Sequence, residues 1–250
     1  MNYREKNAET ITKWVESGWI WGTEIDHDTF IKAKNGEWDV VLTPTKSVPK
    51  WWFGELEDKK VLGLTSAGGQ QMPILTARGA RCTVFDISDG MLAKDKLVAE
   101  RENIKIEIVK GDITETLPFE NESFDLILYP VSNCYYLGMD HVFSECYRVL
   151  KKGGRLLSGL CLDTNYIFDE KEEKAVEKMP FNPLENQRLM DALDEDDSGV
   201  QFSHSIEENI GEQLKAGFIL RDIYQDTNGE GRLHELNIAS FVATLAIKPE

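Results

Sequence analysis

Leu62-Gly63-Leu64-Thr65-Ser66-Ala67-Gly68-Gly69-Gln70 carries a short apolar run into a set of small residues and out again into a helical pattern. Small side chains at such a turn let backbone N–H groups approach a ligand. The helix that follows offers its positive end to an anion such as a carboxylate or phosphate. Glycine-rich turns also join strands to helices in folds that bind nothing there, so this turn takes its meaning from its surroundings. On both sides of it, short apolar runs alternate with helical stretches: residues 61–64, 81–86, 104–110, 124–129 and 154–160 read as strands, and 70–78, 90–100 and 142–150 as helices. Continuously apolar strands separated by helices predict an α/β fold whose parallel sheet is covered on both faces. Such sheets bind ligands at the carboxyl ends of their strands, which singles out the turns after Leu64, Phe85, Val109 and Leu128.

Each of these turns carries chemistry. Thr83-Val84-Phe85-Asp86 ends in an acid placed to accept the hydroxyl hydrogens of a ribose; the alternative is a helix cap, although Ser88 suits that task better. In Lys110-Gly111-Asp112-Ile113 the carboxylate is suited to an exocyclic adenine amine and Ile113 to the flank of the ring, or the segment is an ordinary Asp turn. Pro130-Val131-Ser132-Asn133 opens a loop whose carbonyls and Asn133 amide are expected to face the same crevice.

With these four turns on successive strands, the chain resembles the class I S-adenosylmethionine-dependent methyltransferases, in particular the small-molecule, type 11-like branch. The resemblance implies a Rossmann-like, seven-stranded, mostly parallel sheet with helices on both faces and a C-terminal antiparallel hairpin. It implies that Thr65, Ser66, Ala67, Gly68 and Gly69 hold the methionine end of S-adenosylmethionine, that Asp86 binds its ribose, and that Ile87 and Met91 lie beside its adenine. Gly111, Asp112 and Ile113 then meet the adenine amine and ring, and Pro130 and Asn133 border the crevice. Glu145-Cys-Tyr-Arg-Val-Leu-Lys-Lys-Gly-Gly154 resembles the family's helix and turn ahead of the fifth strand. The chain departs from the pattern at the first turn, where Gly63 replaces an acid and Thr65 and Ala67 replace glycines; a positive φ at either would be strained. Methyl transfer from a sulfonium is an in-line displacement served by positioning and water exclusion, and a base is needed only when the acceptor carries a proton.

The flanks are of a different character. All six tryptophans fall within residues 1–57, an N-terminal helical extension with helices expected at 8–17 and 27–34. It reads either as plain core or as a flap that closes Tyr3, Trp21 and Trp38 over the site. The methyltransferase domain is expected over 58–250. Within it, an insertion at 161–205 reads as a substrate lid or as a solvated helix pair, and residues 161–209 hold fourteen acids against four bases. Ser205-Ile206-Glu207-Glu208 is a capping box expected to open a helix to about residue 216. Residues 218–226 and 238–247 then read as two strands joined by the polar loop 227–231. His204, just ahead of the capping box, is the candidate general base or polar substrate ligand; the alternative is a structural histidine.

Composition narrows the partners. A net charge of −16 argues against a nucleic-acid surface, which needs Lys and Arg gathered on one face. The turn after the fourth strand lacks the Asn-Pro-Pro-Tyr type of sequence found in many amino methyltransferases of nucleic acids and protein amides. The longest apolar stretch, 238–247, is about half of the roughly 20 residues a membrane-spanning helix needs. Cys82, Cys134, Cys146 and Cys161 show neither metal-ligand nor disulfide spacing, so reduced cytoplasmic thiols and no metal are expected. The expected partner is a small-molecule acceptor, with the oligomeric state left open. Two other readings stand beside this one: a cofactor-binding sensor without transfer activity, and an NAD-dependent oxidoreductase, which would call for Gly-x-Gly-x-x-Gly.

Overall fold

Successive side chains of β1 (Lys60–Leu64) face opposite ways. Val61 enters the apolar layer shared with α3 (Gln71–Ala77) and α4 (Asp89–Glu102), while Leu62 and Leu64 enter the layer shared with α5 (Met139–Val149). β4 (Phe124–Tyr129) repeats the pattern, with Leu126 and Leu128 on the first face and Ile127 and Tyr129 on the second. Burial on both faces is why these strands are unbroken apolar runs in the sequence.

The computed structural model describes residues 2–250. With β2 (Arg81–Asp86), β3 (Glu107–Lys110), β5 (Leu150–Cys161), β6 (Ile219–Asp226) and β7 (Phe241–Ile247), the strands form one seven-stranded sheet in the order β3-β2-β1-β4-β5-β7-β6. β1 to β5 are parallel, and β7 runs antiparallel to both β5 and β6. The chain winds outward from β1 toward β3 and then from β4 toward β5, so the β1/β4 junction is the topological switch point.

The C-terminal part differs from the sequence reading in detail. β7 inserts between β5 and β6, which leaves β6 at the edge, and a short helix, α9 (Gly231–Glu235), interrupts the connection expected to be a plain loop. The capping box forms, with Ser205 N donating to Glu208 Oε2 at 2.9 Å and Glu208 N to Ser205 Oγ at 3.2 Å. A wide π turn over Glu207–Gly211 then precedes the short α8 (Glu212–Lys215). That turn carries Asn209, whose buried amide donates to the Cys161 and His204 carbonyls at 3.2 and 2.9 Å.

In the N-terminal extension, α1 (Tyr3–Glu16) starts earlier than expected because Asn2 and Glu5 form a reciprocal capping box. α2 (His27–Lys34) begins where Asp26 accepts the Thr29 N–H at 2.7 Å. α1 packs on α4 and α2 on α3. Beyond them the chain straps the sheet. Leu42 O accepts from Val131 N at 3.1 Å and passes so close to β5 that a Cβ on Gly159 would lie 2.1 Å from it. Trp52 is fully buried, donates from Nε1 to Asp222 Oδ2 at 2.9 Å and packs on Tyr224 of the edge strand. The 161–205 segment folds back through α6 (Thr164–Ile167) and α7 (Gln187–Glu195), and Asn7 of α1 bonds the Val200 peptide through both its N–H (2.7 Å) and its carbonyl (2.9 Å). Among the described residues no helix is long and apolar enough to cross a membrane.

Candidate active site

A cavity of about 450 Å³ lies along the carboxyl ends of the parallel strands, beginning at Gly111–Ile113 after β3 and ending at Cys161 of β5 and Phe241 of β7. It falls in the size range of small-molecule sites. At the β2 end, Asp86 is buried, and its Oδ1 accepts from Ser88 N at 2.8 Å. Burial pushes the Asp86 carboxyl up to about 6, against the pull of the Ser88 and Ile87 N–H groups. Ser88 itself caps α4, its hydroxyl accepting from Met91 N at 3.3 Å. Ile87, Met91 and Ile113 line the adjacent wall. Asp112 spends Oδ1 on the N–H and hydroxyl of Thr114 (2.8 and 2.7 Å), while its Oδ2 lies 3.5 Å from Arg4 of α1.

The turn after β1 supplies Thr65, Ser66 and Ala67 to the cavity wall. Thr65 takes a positive φ of 51°, the conformation that a glycine would adopt without strain. Its N–H donates to Phe85 O at 2.8 Å and its hydroxyl lies 2.5 Å from Ser132 Oγ, which ties the turn to the β4 loop across the switch point. Among the described residues the buried Ser66 hydroxyl has no partner. Gly63 has no room for a side chain: a Cβ there would lie 2.2 Å from Ser66 Oγ and 2.7 Å from Met72 Sδ, which accounts for the absent acid.

A buried carboxylate for ribose hydroxyls, apolar side chains flanking it, and an orphaned hydroxyl on the neighbouring turn together suit a nucleoside-bearing cofactor. Residues 62–158 match the family described as methyltransferase domain. Over 230 residues the chain is 39% identical to the uncharacterized methyltransferase YbaJ of Bacillus subtilis (strain 168), a match covering 89% of this chain and 90% of that one. The chain belongs to the class I S-adenosylmethionine-dependent methyltransferases. Solved structures share the fold. An S-adenosylmethionine-dependent methyltransferase from Mesorhizobium loti superimposes with a TM-score of 0.62 at 16% identity, covering 79% of this chain and 94% of that one. Geranyl diphosphate C-methyltransferase from Streptomyces coelicolor A3(2) gives 0.60 at 15% identity over 99% and 98%.

Several residues singled out in the sequence lie elsewhere in this methyltransferase. Gly68 and Gly69 do not line the cavity; their N–H groups donate to Asp95 Oδ2 of α4 at 2.9 and 3.1 Å and so face away from it. Asn133 also turns away: Cys161 N donates to its Oδ1 at 2.8 Å, and its Nδ2 donates to Cys161 O at 3.1 Å. His204 is buried outside the cavity, with Nε2 2.9 Å from the carbonyls of both Asn133 and Tyr136. Such a histidine holds two carbonyls of the loop that follows β4. Trp38 packs edge-on against Phe53 at 5.1 Å and Tyr3 against Phe202 at 5.1 Å; neither lines the cavity, whereas Trp21 does.

Other residues of the methyltransferase were missed. Arg4, Asn7, Trp19 and Leu42 of the N-terminal extension line the cavity, as does Cys134; Tyr166, one of the apolar residues of the 161–209 segment expected to face a pocket, lines it too. Asp95 had a legible signal, being an acid within the apolar stripe of α4 between Met91, Leu92 and Val98. Its carboxyl is pushed up to about 7 by burial. Arg4 and Trp19 carried no such signal, because their place over the cavity depends on how α1 docks on α4.

Proposed function

We propose that this methyltransferase transfers the methyl group to a small, uncharged acceptor bound at the β5 end of the cavity. The observation that carries the reading is the distribution of charge along the cavity wall. Among the described residues its charged side chains are Arg4, Asp86 and Asp112, all at the β2–β3 end, while the other end is lined by Val41, Leu42, Tyr135, Tyr166 and Phe241 with the neutral amides of Asn165 and Gln201. An ionic acceptor would lose its hydration there without a partner.

S-adenosylmethionine supplies an electrophilic methyl group on its sulfonium when bound. On this reading Asp86 accepts from the ribose hydroxyls; Ile87, Met91 and Ile113 enclose the base; and the turn Thr65–Ala67 borders the methionine end. The aromatic and aliphatic wall at the β5 end orients the acceptor for in-line attack and excludes water. With His204 turned into the protein, that end of the cavity has no imidazole or carboxylate among the described residues, which favours an acceptor presenting its own electron pair over one that must first be deprotonated. Four unpaired cysteines suit a reducing, cytoplasmic setting.

Methyl-labelled S-adenosylmethionine incubated with the enzyme and a fractionated cell extract tests the reading. Label should pass to a small neutral molecule. Label recovered in protein or nucleic acid instead would overturn it.

A further inference from the structure

Cys134 and Cys161 both line the β5 end of the cavity, and methyl transfer as read above uses neither thiol. Their adjacency is built by the backbone. Asn133, next to Cys134, exchanges hydrogen bonds in both directions with the Cys161 peptide, at 2.8 and 3.1 Å. On the other side, His204 Nε2 holds the Asn133 carbonyl at 2.9 Å and Phe202 N donates to Cys134 O at 2.7 Å. The polar residues that turned away from the cavity are thus the ones that clamp this pair.

The two side chains pack in one buried cluster with Phe241, and Asn165 Nδ2 donates to Cys161 Sγ at 3.0 Å. The Cys134 contact, aided by Asn165 and Tyr166, holds the Cys161 thiol below its ordinary range against its burial. The same contact together with burial raises Cys134 well above it. Thiolate character is what makes a cysteine nucleophilic. Cys82 and Cys146 are the contrast: both are buried, neither lines the cavity, and burial pushes Cys82 up to about 12 and Cys146 higher still.

We propose that Cys134 and Cys161 are an oxidisable pair that a hydroperoxide entering the cavity converts into an intramolecular disulfide. The Cys161 sulfur attacks the O–O bond; an S–O bond forms, the O–O bond breaks, and the other oxygen leaves with a proton as water or an alcohol. Cys161 is oxidised by two electrons to a sulfenic acid, and the peroxide is reduced by two. The Cys134 sulfur then attacks that sulfur; the S–S bond forms, the S–O bond breaks, and the departing hydroxide takes the Cys134 proton to leave as water. An external thiol reverses the bridge by exchange. The bridge joins the β4 loop to the end of β5 and occupies the acceptor end. Only the name of that end rests on the function proposed above, since the thiol chemistry needs no methyl transfer.

The test uses the full chain, reduced, exposed to hydrogen peroxide, quenched and digested without reductant. A peptide pair joined through Cys134 and Cys161 is expected, with Cys82 and Cys146 still free. Cys134→Ser should accumulate a dimedone-trappable sulfenic acid at Cys161, and Cys161→Ser should yield neither product. Absence of the joined pair from folded wild-type protein, or equal oxidation of Cys82 and Cys146, overturns the proposal. S-adenosylmethionine is titrated into the reduced protein in parallel. A missing heat there counts against the functional reading and leaves the thiol result standing.

Discussion

Asp95 accepts the Gly68 N–H at 2.9 Å from a position almost wholly shut off from water, and the same oxygen accepts from Gly69 at 3.1 Å. The turn that borders the cavity is therefore braced from behind by a carboxylate of α4, whose other oxygen has no partner among the described residues.

The bracing has a pH signature. Burial raises the folded-state value of Asp95 from 3.8 to about 7, so between these values the folded protein holds a proton that the unfolded chain has released. The contribution is fully present below the lower value and is lost as pH rises to about 7. Asp95→Asn removes this slope. Chemical denaturation across the window should show the stability of the variant, relative to wild type, growing with pH and levelling above neutrality; a constant difference would refute the assignment.

Asp86 is expected to govern cofactor affinity. Asp86→Ala should weaken S-adenosylmethionine binding by about 2 kcal/mol, roughly 30-fold, through loss of charge-assisted hydrogen bonds. Because its carboxyl titrates near 6, wild-type affinity should fall as the pH drops through that value, and Asp86→Asn should abolish the dependence. Isothermal titration at a series of pH values measures both effects.

Restoring the acid usual in the resembled family should harm this protein. In Gly63→Asp the new Cβ meets Ser66 Oγ at 2.2 Å and Met72 Sδ at 2.7 Å, within the fully packed layer under α3. Overpacking of this kind costs about 1–3 kcal/mol, and the midpoint of urea unfolding should fall accordingly. An unchanged midpoint would show that Met72 can move aside freely.

His204→Ala should act on stability rather than on chemistry. Removing the ring leaves the Asn133 and Tyr136 carbonyls without their 2.9 Å donor, at a cost of about 1–3 kcal/mol. Cofactor affinity, measured on protein still folded by circular dichroism, should change little. A large loss of affinity with unchanged stability would return His204 to the site.

The apolar alternation of residues 61–64 with 81–86 and 124–129, and the turns that follow them, are local properties of the chain, so the parallel sheet and the cofactor class were legible from the sequence alone. Asp86 and Thr65 line the cavity because a residue at the carboxyl end of a parallel strand has few other places to go. What the sequence does not specify is the direction in which a polar side chain turns at those ends. Asn133, His204 and Gly68 were equally plausible ligands by position, but buried peptide groups compete for the same hydrogen bonds, and satisfying the Cys161 peptide and the Asn133 and Tyr136 carbonyls claims the side chains of Asn133 and His204. Tertiary structure alone decided that α1 lies on α4, which brings Arg4 and Trp19 over the cavity and leaves Trp38 outside it. It also sets Cys134 beside Cys161, because β4 and β5 are neighbours in the sheet although the thiols are far apart in the chain.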